Sequence, residues 1–195
     1  MCNLYKMRAT ADEIARLFRA TNRAGNIPAL DGIYPGHRAP VVREAQEGRE
    51  IVDMAWGFPP PPGVGNRPVT NVRNLESAFW RSALADPMRR CIVPVTGFCE
   101  WAGSKGSKHK VWFRLDDAPL FAFAGIWRPV AGEADRFAFL TTEPNDVVAA
   151  VHPKAMPVII AEVAVDAWLQ APWTAARTLV GPYPSAAMRS SLEAS

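Results

Sequence analysis

Hydrophobic positions along this chain fall mostly into short runs with the two-residue period of strands. In "EIVDMAWGF" (residues 50–58), Val52, Met54 and Trp56 alternate onto one side. From residue 90 onward strand patterns dominate: "RCIVPVTGFCEW", "KVWFRL", "PLFAFAGIW" and "RFAFLTT", then "AMPVIIA". The segment "AGSKGSKH" between the first two predicts a hairpin turn. Helical spacing is rarer. "TADE" (10–13) matches a capping box and precedes Ile14, Leu17 and Phe18, and Gly25 is a natural stop, so a helix is expected over 11–23. Asn74 is placed to cap a second helix carrying Leu75, Phe79 and Leu84. "NDVVAAV" predicts a short helix and "EVAVDAWLQA" another. "YPGHRAP" is a loop leading to Val41 and Val42, and "PPPPGVGNRP" is a fixed loop. No repeat or linker divides the chain, and the order is too irregular for alternating βαβ units. The expectation is one α+β domain over 1–195, with a mostly antiparallel, barrel-like sheet and flanking helices.

Composition changes this picture little. A length of 195 residues is enough to bury a core, and 49% hydrophobic with 21% charged residues is ordinary for a globular protein. The 18 prolines imply many defined loops and few long helices. No apolar run reaches the ~18 residues of a membrane span. No basic stretch followed by an apolar segment marks a secretion signal. Cys2, Cys91 and Cys99 are an odd number at no metal-ligand spacing, so a reduced, cytoplasmic protein without a metal is expected. A net charge of +3 does not by itself announce a nucleic-acid binder. Basic residues do gather at Arg81, at Arg89 and Arg90, and from Lys105 to Lys110, which leaves room for a local basic face.

Candidate chemistry begins at the second residue. If Met1 is removed, Cys2 carries a thiol and a free α-amine on adjacent carbons, a pair that can close a ring on an aldehyde. If Met1 stays, Cys2 is a small residue at the start of a strand. Glu100 interrupts an apolar strand, so it lies either on a solvent face or in a pocket with a raised pKa. His152 follows "VVAAV" and precedes a proline, as a structural histidine or a functional one. Asn71 could cap a turn or position a substrate. Cys91 and Cys99 read as buried, inert thiols, and His37 and His109 as solvated residues of polar loops. The sequence has no G-x-S-x-G, no H-E-x-x-H, no phosphate-binding glycine loop and no paired-cysteine metal motif.

Taken in order, "MC", "WGF" followed by prolines, "NVR", "RRCIVPVTGFCEW" and "VHPKAMPVII" resemble the SRAP family, the abasic-site processing proteins also called SOS response-associated peptidases. The resemblance is strongest over residues 2–160. It implies a compact α+β fold with a barrel-like core and a positively charged DNA groove. It also implies loss of Met1 and covalent crosslinking of Cys2 to abasic sites in single-stranded DNA, as part of the DNA damage response. The family's active-site residues fall on Cys2, Asn71, Glu100 and His152, and its DNA-gripping arginines on Arg73 and Arg81. Trp101 follows the glutamate as it does elsewhere in the family. A β-elimination (lyase) side activity, removal of Met1 by the site itself or by a methionine aminopeptidase, no cofactor and a monomer follow as further expectations. Two departures bear on DNA binding. Asn3 and Leu4 stand where many members have Gly-Arg. Ala155 stands where many have arginine, with Lys154 placed to supply that charge. "LVGPYPSAAM" near the C-terminus matches only loosely.

Two other functions compete on the same residues. An N-terminal-nucleophile amidohydrolase would also expose Cys2, but would be acylated by amides and indifferent to DNA. A non-catalytic nucleic-acid-binding barrel would stack bases on its tryptophans and leave Cys2 incidental.

Overall fold

The strand-period segments become two sheets, one of which closes on itself. The computed structural model describes residues 2–63, 65–104 and 106–192. In chain order its elements are β1 (Tyr5–Met7), α1 (Ala11–Phe18), β2 (Ala20–Asn22), β3 (Leu30–Ile33), β4 (Arg38–Ala45), β5 (Gly48–Trp56), β6 (Asn71–Val72) and α2 (Arg81–Ala85). There follow β7 (Arg90–Val95), β8 (Gly97–Ala102), β9 (His109–Leu115), β10 (Phe121–Arg128), β11 (Arg136–Thr142), α3 (Asp146–Ala149), β12 (Met156–Pro157) and β13 (Ile159–Ile160). The last are α4 (Val165–Gln170), α5 (Trp173–Ala176) and β14 (Met188–Leu192). The predicted α+β class, with a large, mostly antiparallel sheet and few helices, is what is observed.

The barrel-like character has a specific origin. Strands β5, β4, β7, β10 and β11 are antiparallel neighbours in that order, and β11 then pairs in parallel with β5 through Arg136–Ala55 and Phe137–Trp56. That last pairing removes two open edges at once. A second sheet, ordered β14-β9-β8-β1-β3, packs against the ring. The contact is aromatic: Tyr5 of β1 meets Trp56 at 5.2 Å and Phe139 at 6.1 Å between ring centroids, and Phe98 of β8 meets Phe123 at 5.8 Å. All five side chains are essentially inaccessible, so one apolar core serves both sheets.

Five sequence expectations are corrected, most of them by a tertiary partner. The helix expected over 11–23 stops at Phe18. Its capping box forms, but Arg19 takes a left-handed conformation (φ 52°), and residues 20–22 leave to pair in parallel with β5. Asn74 caps only a turn, accepting from the Glu76 N–H at 3.1 Å, and the second helix begins later, at Arg81. "RCIVPVTGFCEW" is two strands, because the chain passes from ring to second sheet at Thr96, whose N–H donates to the Lys6 carbonyl at 2.8 Å. "AMPVIIA" is likewise divided. The Val158 N–H donates to Leu140 while its carbonyl accepts from Ala124, so residues 156–160 cross from β11 to β10 where those strands part. His109, expected in a loop, opens β9, though it is exposed. The "AGSKGSKH" hairpin is present, joining β8 to β9 with Ala102 opposite His109.

In the "WGF" motif the glycine is required. Gly57 has φ +113°, and a Cβ there would meet the Pro68 Cβ at 2.6 Å. Among the described residues no helix is long and apolar enough to cross a membrane.

Arg90 is wholly buried and has no carboxylate partner among the described residues. Its guanidinium instead collects three helix-end carbonyls: Nε donates to Trp168 O at 2.6 Å, Nη1 to Leu84 O at 2.8 Å, and Nη2 to Ala171 O. These are carbonyls that α2 and α4 leave without an intrahelical partner. Burial lowers the pKa of Arg90, so the charge is expensive and only its hydrogen bonds offset it. Arg90→Met is therefore expected to destabilise the fold by about 3 kcal/mol, since three buried carbonyls are orphaned together. Urea unfolding measures this, and a loss below about 1 kcal/mol would show that water replaces the guanidinium.

Candidate active site at the amino terminus

β1 runs antiparallel to β8, with Tyr5 opposite Phe98, and the Cys99 N–H donates to the Leu4 carbonyl at 2.9 Å. Leu4 packs with Cys99 and Trp112 in a small cluster of their own, whereas Cys2 lies in the main core with Tyr5. Residues two apart on a regular strand would share a face. The chain therefore turns ahead of Leu4 and carries Cys2 inward, with the thiol donating to the Leu4 carbonyl at 3.5 Å. Cys2 is 1% exposed. Burial pushes its thiol pKa well up, and the charge of Glu100 pushes it further, so the sulfur is held as a thiol.

Glu100 shares the inward face of β8 with Phe98 and is 3% exposed. Burial raises its pKa to about 7, so the pocket alternative, not the solvent face, is what the fold provides. Its Oε1 has no hydrogen-bond partner.

Asn71 comes from β6, which lies along β11 with Asn71 opposite Phe139. The segment is fixed from behind by the Trp56 indole N–H, which donates to Thr70 O at 3.1 Å. Asn71 Nδ2 donates to the Cys2 carbonyl at 3.1 Å and to Thr70 Oγ1 at 2.7 Å, while Oδ1 is buried without a partner. So the second and seventy-first residues are in direct contact.

His152 follows α3, which Asn145 caps by accepting from the Val148 N–H at 3.0 Å. The histidine Nδ1 lies 3.0 Å from the Ala155 carbonyl. A carbonyl only accepts, so Nδ1 carries the proton and the lone pair of the neutral ring is on Nε2. Burial lowers the His152 pKa, and the Lys154 charge adds to this, so the ring is neutral at pH 7. The segment after His152 becomes β12, on Thr141 and Thr142 of β11, whereas Asn71 lies beside Phe139 of the same strand. Both therefore converge on the C-terminal half of β11.

The expected DNA contacts lie outside this pocket. Arg73 and Lys154 are exposed, and Arg81, the first residue of α2, is exposed and donates to Glu76 O at 2.9 Å. Trp101 is 37% exposed, with Lys110 Nζ 5.9 Å from its ring. Ala155 is buried, so the departure from arginine leaves its carbonyl to orient His152. Cys91 and Cys99 are buried as expected, and His37 is an exposed loop residue packed against Tyr34.

Sequence reasoning missed three polar groups. Thr70 accepts from Asn71. Thr141 Oγ1 and Tyr5 Oη are buried without partners. Alternation could have found Thr141, because it shares the inward face of β11 with Phe137 and Phe139. Buried polar groups without partners cost stability and mark places where a ligand can supply them. Among the described residues no group of His, Cys, Asp or Glu is arranged to hold a metal.

The fold is thus a closed α+β barrel with a cysteine site near the amino terminus, an asparagine on that cysteine's carbonyl and a buried carboxylate beside it. Residues 1–192 match the family described as SOS response associated peptidase (SRAP), and the chain belongs to that family. Among solved structures, a protein from Bacteroides thetaiotaomicron superposes with TM-score 0.85 at 22% identity, covering 98% of this chain and 91% of that one. A protein from Bordetella bronchiseptica gives 0.81 at 24%, covering 99% and 100%. A phage-related protein from the same organism gives 0.78 at 17%, covering 98% and 94%. These likenesses show the fold. No curated protein matches the chain. Family membership ties the protein to the SOS response and so to DNA damage.

Proposed function

We propose that, once Met1 is removed, Cys2 crosslinks the protein to the ring-opened abasic site of single-stranded DNA through a thiazolidine. The observation that carries this reading is the 3.1 Å hydrogen bond from Asn71 to the Cys2 carbonyl, beside a glutamate whose pKa is raised to about 7. That arrangement fixes the amino-terminal residue, not merely a thiol. The four catalytic residues in this reading are Cys2, Asn71, Glu100 and His152.

The chemistry runs in balanced steps. His152 Nε2 takes the proton of the anomeric hydroxyl and a proton passes to the ring oxygen, opening the sugar to its aldehyde. The Cys2 amine attacks the aldehyde carbon. An α-amine has a pKa of about 7.7–8, so a useful fraction is neutral at physiological pH, whereas a lysine at about 10.4 is almost wholly protonated. Glu100, near pH 7 in both forms, takes a proton from the attacking nitrogen and returns one to the carbinolamine hydroxyl, which leaves as water. The imine then receives the Cys2 sulfur at carbon, and the thiol proton ends on nitrogen, closing the five-membered ring. Asn71 holds the nucleophile in position throughout, which supports rate through orientation. While the imine lasts, the sugar's C2′ protons are acidified, and some β-elimination competes with ring closure. Arg73, Arg81 and Lys154 bind phosphates, and Trp101 stacks on a base. All four catalytic residues belong to one chain, which supports a monomer as the working form. Met1 is removed by the site itself or by a methionine aminopeptidase.

The test uses protein shown by mass to lack Met1, mixed with single-stranded DNA carrying one abasic site. A denaturation-resistant band is expected, absent with undamaged DNA and absent when the α-amine is acetylated. No band from processed protein sinks the proposal.

A further inference from the structure

Beside α2 lies a second cleft, of about 240 Å3, that the crosslinking chemistry does not use. Phe58, Phe79 and Trp127 form its aromatic walls, and Arg89, Arg128 and Asp86 are its charged members. The Arg128 guanidinium lies 4.3 Å from the Phe58 ring centroid and 4.7 Å from that of Phe79. Arg89 lies 4.7 Å from the Trp127 centroid. Arg43 also packs on Trp127, but it is ion-paired with Glu50 and Asp135.

Neither Arg89 nor Arg128 has a carboxylate partner among the described residues, and Arg128 donates only to the Pro59 carbonyl, at 3.2 Å. Burial lowers the Arg128 pKa, which is the cost of holding a cation there without an anion. The Trp127 indole nitrogen is buried with no hydrogen-bond partner. The Asp86 carboxylate is engaged by the Met88 N–H at 2.9 Å. The cleft thus joins aromatic walls and two cations that lack an anion, each stacked on a ring. A small inorganic anion would not need the rings, and an apolar side chain would not need the arginines. A nucleotide uses both, its base against the aromatic walls and its phosphate at the guanidiniums. The place is also right: Phe58 pairs with Val69, two residues before Asn71, and α2 opens with Arg81.

We infer that this cleft binds an intact nucleotide of the single strand, apart from the abasic one, through stacking on Phe79 and Trp127 and phosphate contact with Arg89 and Arg128. The choice of the strand as its source rests on the crosslinking reading, and the experiment separates the two. Undamaged oligothymidylate is titrated by fluorescence anisotropy into the wild type, Arg89→Ala, Phe79→Leu and, as a distant surface control, Arg8→Ala. Arg89 lies at the half-buried rim, so its loss leaves the core intact, and melting temperatures verify this for each variant. Arg89→Ala and Phe79→Leu are expected to bind roughly tenfold more weakly, and Arg8→Ala as wild type. Unchanged binding in both cleft variants overturns the inference, as does failure of the wild type to bind. Thymidine monophosphate competing as strongly as the strand also overturns it, by assigning the cleft to free nucleotides. A wild type that binds through the cleft yet never crosslinks to abasic DNA removes the proposed function and leaves this site standing.

Discussion

Processed Cys2→Ala and Cys2→Ser proteins are expected to lose the denaturation-resistant DNA adduct entirely while still forming an imine. Both variants keep the α-amine, the Asn71 contact to the residue 2 carbonyl and Glu100, so nothing needed for attack on the aldehyde is removed. What disappears is the sulfur that closes the ring. Alanine has no second nucleophile, and the serine hydroxyl is a weaker one whose ring reopens readily. Borohydride should therefore trap an adduct with either variant, and strand cleavage at the abasic site should persist or rise, because the imine is no longer diverted. Gel analysis with and without borohydride reads all three outcomes. A stable band from Cys2→Ala would place the nucleophile elsewhere. Loss of the trapped imine as well would mean that the thiol, not the amine, attacks first.

Glu100→Gln is expected to move activity and stability in opposite directions. Losing a positioned proton carrier should slow crosslinking about 10²–10⁴-fold in single-turnover assays. The stability effect follows from the raised pKa of about 7. Below the ordinary carboxylate range Glu100 is neutral in both folded and unfolded chains, and its full contribution is present. Between about 4.5 and 7 the unfolded chain ionises while the folded one resists, so stability falls as pH rises. The loss is complete above about 7 and amounts to about 3 kcal/mol. Glutamine carries no such penalty. The variant should thus resemble wild type near pH 4 and melt higher at pH 8. Thermal melts at those two values check it, and an equal difference at both would show that Glu100 is not the group with the raised pKa. In the wild type, the crosslinking rate should rise with both ionisations, Glu100 near 7 and the amine near about 8. The glutamine variant should keep only the second limb.

How much of this was legible in the sequence differs by element. Strands with clean alternation, such as Val52, Met54 and Trp56, were readable because one face meets the core. The capping box at Thr10 was readable because it is local. Where the helix ends was not, because Arg19 adopts its left-handed conformation to deliver residues 20–22 to β5. The break at Thr96 was equally hidden, since its partner, Lys6, is 90 residues away. In the site, Cys2 and Glu100 each left two readings open on chemistry alone. The order of motifs supplied the family, but the tautomer of His152 depends on a carbonyl at Ala155 that no side-chain pattern reveals. The cleft at Trp127 draws on three separate stretches of chain, at residue 58, over 79–89 and over 127–129, and had no sequence signal.

The pairing of β1 with β8 sets a schedule for making the protein. Cys2 is shut into the fold by a strand whose partner, around Phe98, lies about 90 residues later in the chain. At a synthesis rate of about 5–20 residues per second, that partner leaves the ribosome roughly 5–20 s after the amino terminus. During this interval the terminus belongs to an unfolded nascent chain and any aminopeptidase can reach it. Once β8 arrives the door closes, and a chain that still carries Met1 is acylated on the one nitrogen that matters. Under the proposed chemistry, an aminopeptidase has only the seconds before β8 pairs in which to act, and a chain that folds untrimmed depends on the site itself to remove Met1.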